Sequence, residues 1–398
     1  MRVLMLSWEY PPHIVGGLGQ HVADLAPALA RLGIEVHVVT PSRQGGEAHT
    51  DSDSLHVHRV PVSVAPGMSF YDEAMQTNHV LAAYCQQLLG QAGPFDVLHN
   101  HDWLTAVSAR TIKLDSHLPL VATVHATERG RGRGELASDQ ARAINSVEWE
   151  LTYEAWRVIA CTEFMRHELQ AYFQTPTDKI DVIPNGVSTA AFDALEGVDL
   201  ADFRRNYARP HEKIVFHVGR IVYEKGIETL IRSVPAVLAS MPDTVFVIAG
   251  RGPELEAMRA LVASLHLEHR VKMPGFVSEE DRNRLFRVAD CAVFPSLYEP
   301  FGIVALEAMA ARVPVVASEV GGLREVVTHG ETGITVYPGD PASCAWGITH
   351  TLQHPEWAAM RVQNALHQVR TVFNWDVIAS QTESVYRRVV AERTLTDW

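Results

Sequence analysis

No run of apolar residues in this chain approaches the length that crosses a bilayer, so no integral membrane segment is expected. The opening Met1–Ser7 is apolar but too short for a secretory leader, and it reads as a first buried strand. Cysteine is scarce: Cys85, Cys161, Cys291 and Cys344 are widely scattered and form no Cys-x-x-Cys. Buried free thiols in a reducing cytoplasm are therefore the expectation. A basic surplus is missing as well. The 34 Lys and Arg face 47 Asp and Glu, a formal charge of −13 that argues against a nucleic-acid partner. Also missing is Gly-x-Gly-x-x-Gly after the first strand, with no acidic ribose ligand evident at the end of the second, so a dinucleotide site is not expected.

What is present is a globular composition, 47% hydrophobic and 20% charged, in a chain of 398 residues that is too long for one ordinary core. Repeated strand–loop–helix units occur twice over, with a break near Ser188. They predict an α/β protein of two doubly wound, Rossmann-like domains facing a cleft. The expected division is 1–187, a linker at 188–212, 213–374, and a closing helix at 375–398 that crosses back to the first domain.

One stretch, Phe294–Ala310, organises the rest. The strand Asp290–Phe294 runs into a loop carrying Glu299, and Pro300, Phe301 and Gly302 are expected to open a helix, since Pro is tolerated in a first turn. The free amides of Gly302, Ile303 and Val304 would suit a phosphate, and Glu307 would project along the same mouth. Acceptor-only carboxylates there suit sugar and ribose hydroxyls. The alternative is a surface loop with solvated glutamates.

This Glu-x7-Glu stretch with Pro-Phe-Gly after the first Glu resembles the signature of the retaining family 4 glycosyltransferases, of GT-B fold, which include glycogen and sucrose-phosphate synthases. The resemblance covers nearly the whole chain and is most specific at Gly219–Gly226 and Phe294–Met309. It implies glycosyl transfer from a nucleotide diphosphate sugar, UDP- or ADP-linked, with retained configuration and no obligatory cofactor or metal.

In the first half, strand Val3–Leu6 leads through Gly16 and Gly17 into a helix from about Leu18. These glycines would let backbone amides approach a donor anion, or simply make a tight turn. Gly16-Gly17-Leu18 is similar to the Gly-Gly-Leu of glycogen synthases, but Ile14 stands where those enzymes commonly carry a lysine linked to ADP-glucose. His56 and His58 alternate onto one strand face, and His99-x-His101-Asp102 has a metallohydrolase look. Neither has an evident partner cluster in sequence, so no metal is expected. His101–Thr105 resembles the acceptor-side His-Asp-Trp segment of glycogen and starch synthases. Trp103 would stack on a sugar and Asp102 would accept a hydroxyl; a capping Asp before a helix at Trp103 is the alternative.

His125 ends a buried strand, where such sheets bind ligands, and Thr127 and Glu128 follow it. His125–Glu128 resembles the His-Ser-Thr-Glu of glycogen-synthase-like enzymes, which implies that His125 meets the donor's primary hydroxyl and that Glu128 lies on the acceptor side. Arg129–Gly134 reads as a mobile basic loop that holds a phosphate or is merely solvated.

In the second half, Arg220 and Lys225 bracket a loop after strand Ile214–Val218, where both cations can reach one diphosphate. Gly-Arg-x4-Lys-Gly matches the family's phosphate clamp. The resemblance further implies that Arg251, Phe276 and Val277 flank the nucleotide base, and that Phe301, Gly302, Ile303, Val304 and Glu307 complete the donor site. His125, Arg220, Lys225 and Glu299 are the expected catalytic set. Glucosyl transfer to a glucan-like acceptor is the expected activity, with sucrose-phosphate synthesis or polysaccharide assembly as rivals. A UDP-sugar 2-epimerase and a non-catalytic sugar-nucleotide binding protein are the readings from other classes.

Overall fold

The computed structural model of the chain describes residues 1–42 and 47–396. It divides into two compact units. The first comprises Met1–Gly186 with Trp375–Trp398, and the second Val187–Asn374.

The first unit is an eight-stranded sheet. In chain order its strands are β1 (Arg2–Leu6), β2 (Glu35–Ser42), β3 (His49–Ser52), β4 (Leu55–Pro61), β5 (Val97–His101), β6 (Leu120–Val124), β7 (Arg157–Ala160) and β8 (Ile180–Val182). They lie side by side as β3-β4-β2-β1-β5-β6-β7-β8, all parallel except the β3–β4 pair. β1 and β5–β6 are short continuous apolar or buried runs, the pattern of strands covered on both faces. The strand expected at Phe95–His99 runs two residues later, because pairing with β1 starts at Val97. The helix Gly17–Arg31 buries Leu18, Val22, Leu25, Ala26 and Leu29 and stops at Gly33, whose φ of 80° suits only a residue without Cβ.

The closing helix, Trp375–Thr394, is part of this unit. Its Ile378, Ala379, Val385, Tyr386 and Val389 join the core of β1, β2 and the helix Gly17–Arg31. The Trp375 ring lies so close to Gly186 that a Cβ there would meet it at 2.8 Å. Arg31–Asp376 at 2.8 Å and Arg157–Glu392 at 2.5 Å tie its flanks.

The second unit has six parallel strands: β9 (Lys213–Val218), β10 (Thr244–Ala249), β11 (Val271–Gly275), β12 (Cys291–Phe294), β13 (Val315–Ser318) and β14 (Ile334–Val336). Their order, β11-β10-β9-β12-β13-β14, reverses direction between β9 and β12. That is the strand order of a Rossmann domain, in which ligands bind outside the carboxyl ends of the strands at the reversal. Residues 188–212, expected as a linker, carry two short helices, Ala190–Asp193 and Ala201–Arg205. Phe192 packs edge-on to Phe286, and Arg204 pairs with Asp290 at 3.3 Å, so this segment is folded into the second unit.

The helices Pro341–Gln353 and Pro355–Thr371 were not anticipated. Each begins with Pro in its first turn, and Asp340 caps the former by accepting from Ala342 and Ser343. Among the described residues no helix is long and apolar enough to cross a membrane, and all four cysteines are buried and outside any disulfide.

Candidate active site

In the second unit the loops after β9 and β12 leave the two strands that flank the reversal. Gly226, with φ of 64°, is where they touch: a Cβ there would sit 2.0 Å from the Pro295 carbonyl oxygen. The Leu297 amide donates to the Glu224 carbonyl at 2.7 Å. This contact brings Lys225 Nζ to 2.5 Å from Glu299 Oε2, with the Glu299 side chain only 9% exposed. Ser296 Oγ donates to the same oxygen at 3.3 Å. Arg220 is exposed and has no side-chain partner among the described residues, which leaves its five donors for a ligand.

The helix after Glu299 starts at Ile303, not at Pro300. Gly302 is the cap instead, because its φ of 104° places a Cβ 2.6 Å from Leu323 and excludes other residues. The first-turn amides of Ile303 and Val304 have no intrahelical acceptor and carry the positive end of the helix dipole. Phe301 is buried against Phe373. Glu307 is buried on this helix with Arg282 Nη1 at 3.2 Å from Oε1. On the other flank, the Arg251 guanidinium lies 5.0 Å from the ring centre of Phe276, which is 65% exposed, with Val277 beside it.

His217 is a residue that sequence reasoning missed. It sits inside β9, and its Nδ1 lies 2.8 Å from the Val293 carbonyl, which can only accept. Nε2 therefore carries a lone pair, and it is buried without a partner 3.4 Å from where a Gly219 Cβ would be. Burial, reinforced by Lys225, depresses its pKa to about 4, so the ring is a neutral acceptor at pH 7. The only sequence signal was a polar residue in an apolar strand.

In the first unit the carboxyl ends of β1, β5 and β6 gather the predicted residues differently. The Gly16 amide, expected with Gly17 to approach a donor anion, donates to Glu9 Oε2 at 3.0 Å, as the Val15 amide does at 2.7 Å, and Gly17 begins the helix. Glu9 is the anion those amides hold in this structure. Asp102 does not cap the short 3-10 helix Trp103–Thr105: its side chain makes no capping bond there. Asp102 Oδ1 instead accepts the His125 amide at 2.7 Å, while its own amide donates to Thr123 at 3.0 Å. Burial raises its pKa to about 6, opposed by Arg131 and by the His125 and Ala126 amides. Trp103 is corrected from a sugar platform to a packing residue: it is 4% exposed, with Phe70 edge-on and Tyr71 stacked against its ring.

His125 is surrounded by histidines that the sequence did not join. His101 Nδ1 lies 3.2 Å from His125 Nε2, and the His21 ring centre is 4.7 Å away. His21 Nδ1 meets Asn185 Oδ1 at 2.6 Å, leaving its Nε2 buried and unpaired, as is His101 Nε2. The view that nothing completes His99-x-His101-Asp102 is thereby corrected: His21, His101 and His125 offer nitrogens within 4.8 Å of one another. Burial holds His125 down to about 3 and His21, His99 and His101 well below their ordinary value, so all four are neutral. His56 and His58 also acquire neighbours, His37, Glu35 and Asp51, which corrects the absence of a carboxylate partner.

Residues 128–131 form one helical turn in place of the expected loop, capped by Thr127, which accepts from Gly130 at 2.9 Å. Glu128 donates its amide to the buried Glu148 carboxylate at 2.9 Å and pairs with Arg131 at 3.6 Å. Arg129 lies over the Tyr172 ring.

Two adjoining family models match this chain: Glycosyltransferase Family 4 over residues 15–191, and Glycosyl transferases group 1 over residues 200–368. An uncharacterised glycosyltransferase of Methanocaldococcus jannaschii is 40% identical, over 97% of this chain and 98% of its own. The glycogen synthase of Mycobacterium tuberculosis is 34% identical over 97% of this chain and 94% of its own. The chain belongs to the family 4 glycosyltransferases. Among solved structures, the sucrose-phosphate synthase of Thermosynechococcus elongatus superposes with a TM-score of 0.82 at 27% identity, covering 98% of this chain and 99% of that one. This glycosyltransferase is thus an enzyme that moves a sugar from a nucleotide-sugar donor, and both of its units have the Rossmann-like form of the GT-B fold.

Proposed function

We propose that this glycosyltransferase moves a glucosyl unit, with retention of configuration, from ADP- or UDP-glucose to a glucan-like acceptor. The observation that carries the reading is the convergence at the strand reversal of Lys225, Glu299 and the capped helix after Gly302. Arg220 would bind the diphosphate bidentately, Lys225 as a point charge, and the Gly302–Val304 amides would face the oxygen on which charge develops. Removing one such donor typically costs about 100- to 1,000-fold in turnover. Glu299 orients the donor sugar, Glu307 binds ribose hydroxyls, and Arg251, Phe276 and Val277 flank the base. In the first unit His125 is the sugar-facing residue, with Asp102 holding its backbone and Glu128 on the acceptor side. We place the enzyme in the cytoplasm because four buried cysteines without a disulfide suit a reducing compartment.

The likeness to a sucrose-phosphate synthase favours a second reading, with a sugar phosphate as acceptor. Incubation without added metal, with ADP- or UDP-glucose and glycogen, fructose 6-phosphate or no acceptor, separates them. The expected result is nucleotide release that requires glycogen and is lost in Glu299→Ala. Release that requires fructose 6-phosphate establishes the second reading, and donor turnover without any acceptor refutes both.

A further inference from the structure

A second set of ionisable side chains lies at the opposite end of the first unit's sheet from His125. It is built on the amino ends of the parallel strands β2 and β4 and on the edge strand β3. Glu35 Oε1 is 3.1 Å from His37 Nε2 and 3.9 Å from His56 Nε2. The two imidazoles stack with ring centres 4.4 Å apart. Four-coordinate zinc with bonds of about 2.0–2.1 Å requires neighbouring ligand atoms roughly 3.4 Å apart; the two distances from Glu35 bracket that spacing, and all three ligand atoms lie within 4.8 Å of one another.

The outer contacts set the tautomers. His56 Nδ1 lies 2.6 Å from Asp51 Oδ1, and a carboxylate only accepts, so Nδ1 carries the proton. The other ring nitrogen, Nε2, faces the Glu35 carboxylate, so a bound cation would meet both donors. His37 Nδ1 faces His58 Nε2 at 3.1 Å, and His58 Nδ1 faces the Tyr84 hydroxyl at 2.9 Å. Because a hydroxyl either donates or accepts, this chain can shift as a unit and leave His37 Nε2 as a lone pair too. Ligating histidines whose second nitrogen is held by a carboxylate or another acceptor are the usual outer arrangement of a zinc site.

We propose that Glu35, His37 and His56 form a binding site for a divalent transition metal of the zinc type, which clamps the β3–β4 edge to β2. Zinc suits mixed imidazole and carboxylate donors. Entry is open, since the Glu35 and His56 side chains are 35% and 24% exposed, while His37 is almost covered. A water completes the coordination. Arg2 Nε lies 2.9 Å from the same Glu35 oxygen as an ion pair, which limits affinity without closing the site, because a carboxylate oxygen has two lone pairs. In contrast to the buried His21 cluster, this one contains a carboxylate and reaches solvent.

The test uses the full chain without a polyhistidine tag, stripped of metal and titrated with ZnCl2 by calorimetry, with thermal unfolding in parallel. One zinc per chain and a raised Tm are expected. His56→Gln and Glu35→Gln should each weaken binding about 100-fold or more, and Asp51→Asn by about tenfold, the range for loss of an outer contact. All three positions are partly exposed, so the variants should fold, which their metal-free Tm checks. His79→Gln, on an exposed helix position, should bind as wild type does. Absence of stoichiometric binding overturns the proposal, as does an affinity unchanged in His56→Gln and Glu35→Gln.

Discussion

Lys225 Nζ and Glu299 Oε2 lie 2.5 Å apart although 74 residues separate them. The pair exists because Gly226 lets the loop after β9 press against the carbonyl of Pro295. It is largely shielded from water, so removing one partner strands a charge, at a cost of about 3 kcal/mol for a buried pair. Lys225→Met should therefore lower Tm and abolish transfer. The double variant Lys225→Met/Glu299→Gln should recover most of the Tm and none of the transfer. Recovery of transfer in the double variant would show that the pair is only structural.

Gly226→Ala tests the loop contact itself. A Cβ 2.0 Å from a backbone oxygen and a left-handed φ cannot both be accommodated without moving the loop. We expect a loss of about 2 kcal/mol or more, read as a fall in denaturation midpoint, together with weaker donor binding. An unchanged midpoint would mean that the two loops do not meet in solution.

Glu148 predicts a pH dependence with a definite sign. Burial raises its pKa from 4.5 to about 8, opposed chiefly by Arg131. Between those values the folded protein binds more protons than the unfolded chain, so this group's contribution to stability falls as pH rises through the window. His125 acts in the opposite sense: held down to about 3, it costs stability as pH falls below 6.5. Comparing wild type with Glu148→Gln isolates the first effect. The Tm difference should move in favour of the variant from pH 5 to 8 and level off above; a constant difference would refute the raised pKa.

Phe276 offers an exposed ring beside Arg251. If it stacks on the donor's base, Phe276→Ala should raise the donor KM about tenfold with little change in kcat, since an aromatic stack is worth about 0.5–1.5 kcal/mol beyond its area. The stability of the variant should match wild type. A fall in kcat at constant KM would place the ring elsewhere in the cycle.

His217→Phe keeps the packing volume of the ring and removes the unpaired Nε2 and the Val293 bond. We expect donor affinity to fall while Tm changes by only a few degrees, as measured by calorimetry with nucleotide. Unaltered affinity would reduce His217 to a core residue.

Local features were legible in the chain itself. Continuous apolar runs marked β1 and β9, and the Thr162 and Ser278 side chains cap their helices by accepting from the amide three residues on, a contact between near neighbours. The Phe294–Ala310 stretch carried Glu299 and Glu307 on a recognisable loop and helix. Its start was misplaced by three residues because the left-handed φ of Gly302 and the Leu323 side chain packed against it are tertiary facts.

Tertiary structure alone decided which ionisable groups meet. His21, His101 and His125 come from a helix and the ends of two strands, and no spacing in the sequence announces them. Glu9 occupies amides that a Gly-Gly turn appeared to offer a ligand, and Trp103 turns inward because Phe70 and Tyr71 cover it. The chain by itself determined periodicity, caps and motif chemistry, which depend on near neighbours. Partner choice among buried polar groups depends on long-range packing, because burial makes an unpaired group costly and each finds whichever partner the fold brings within reach.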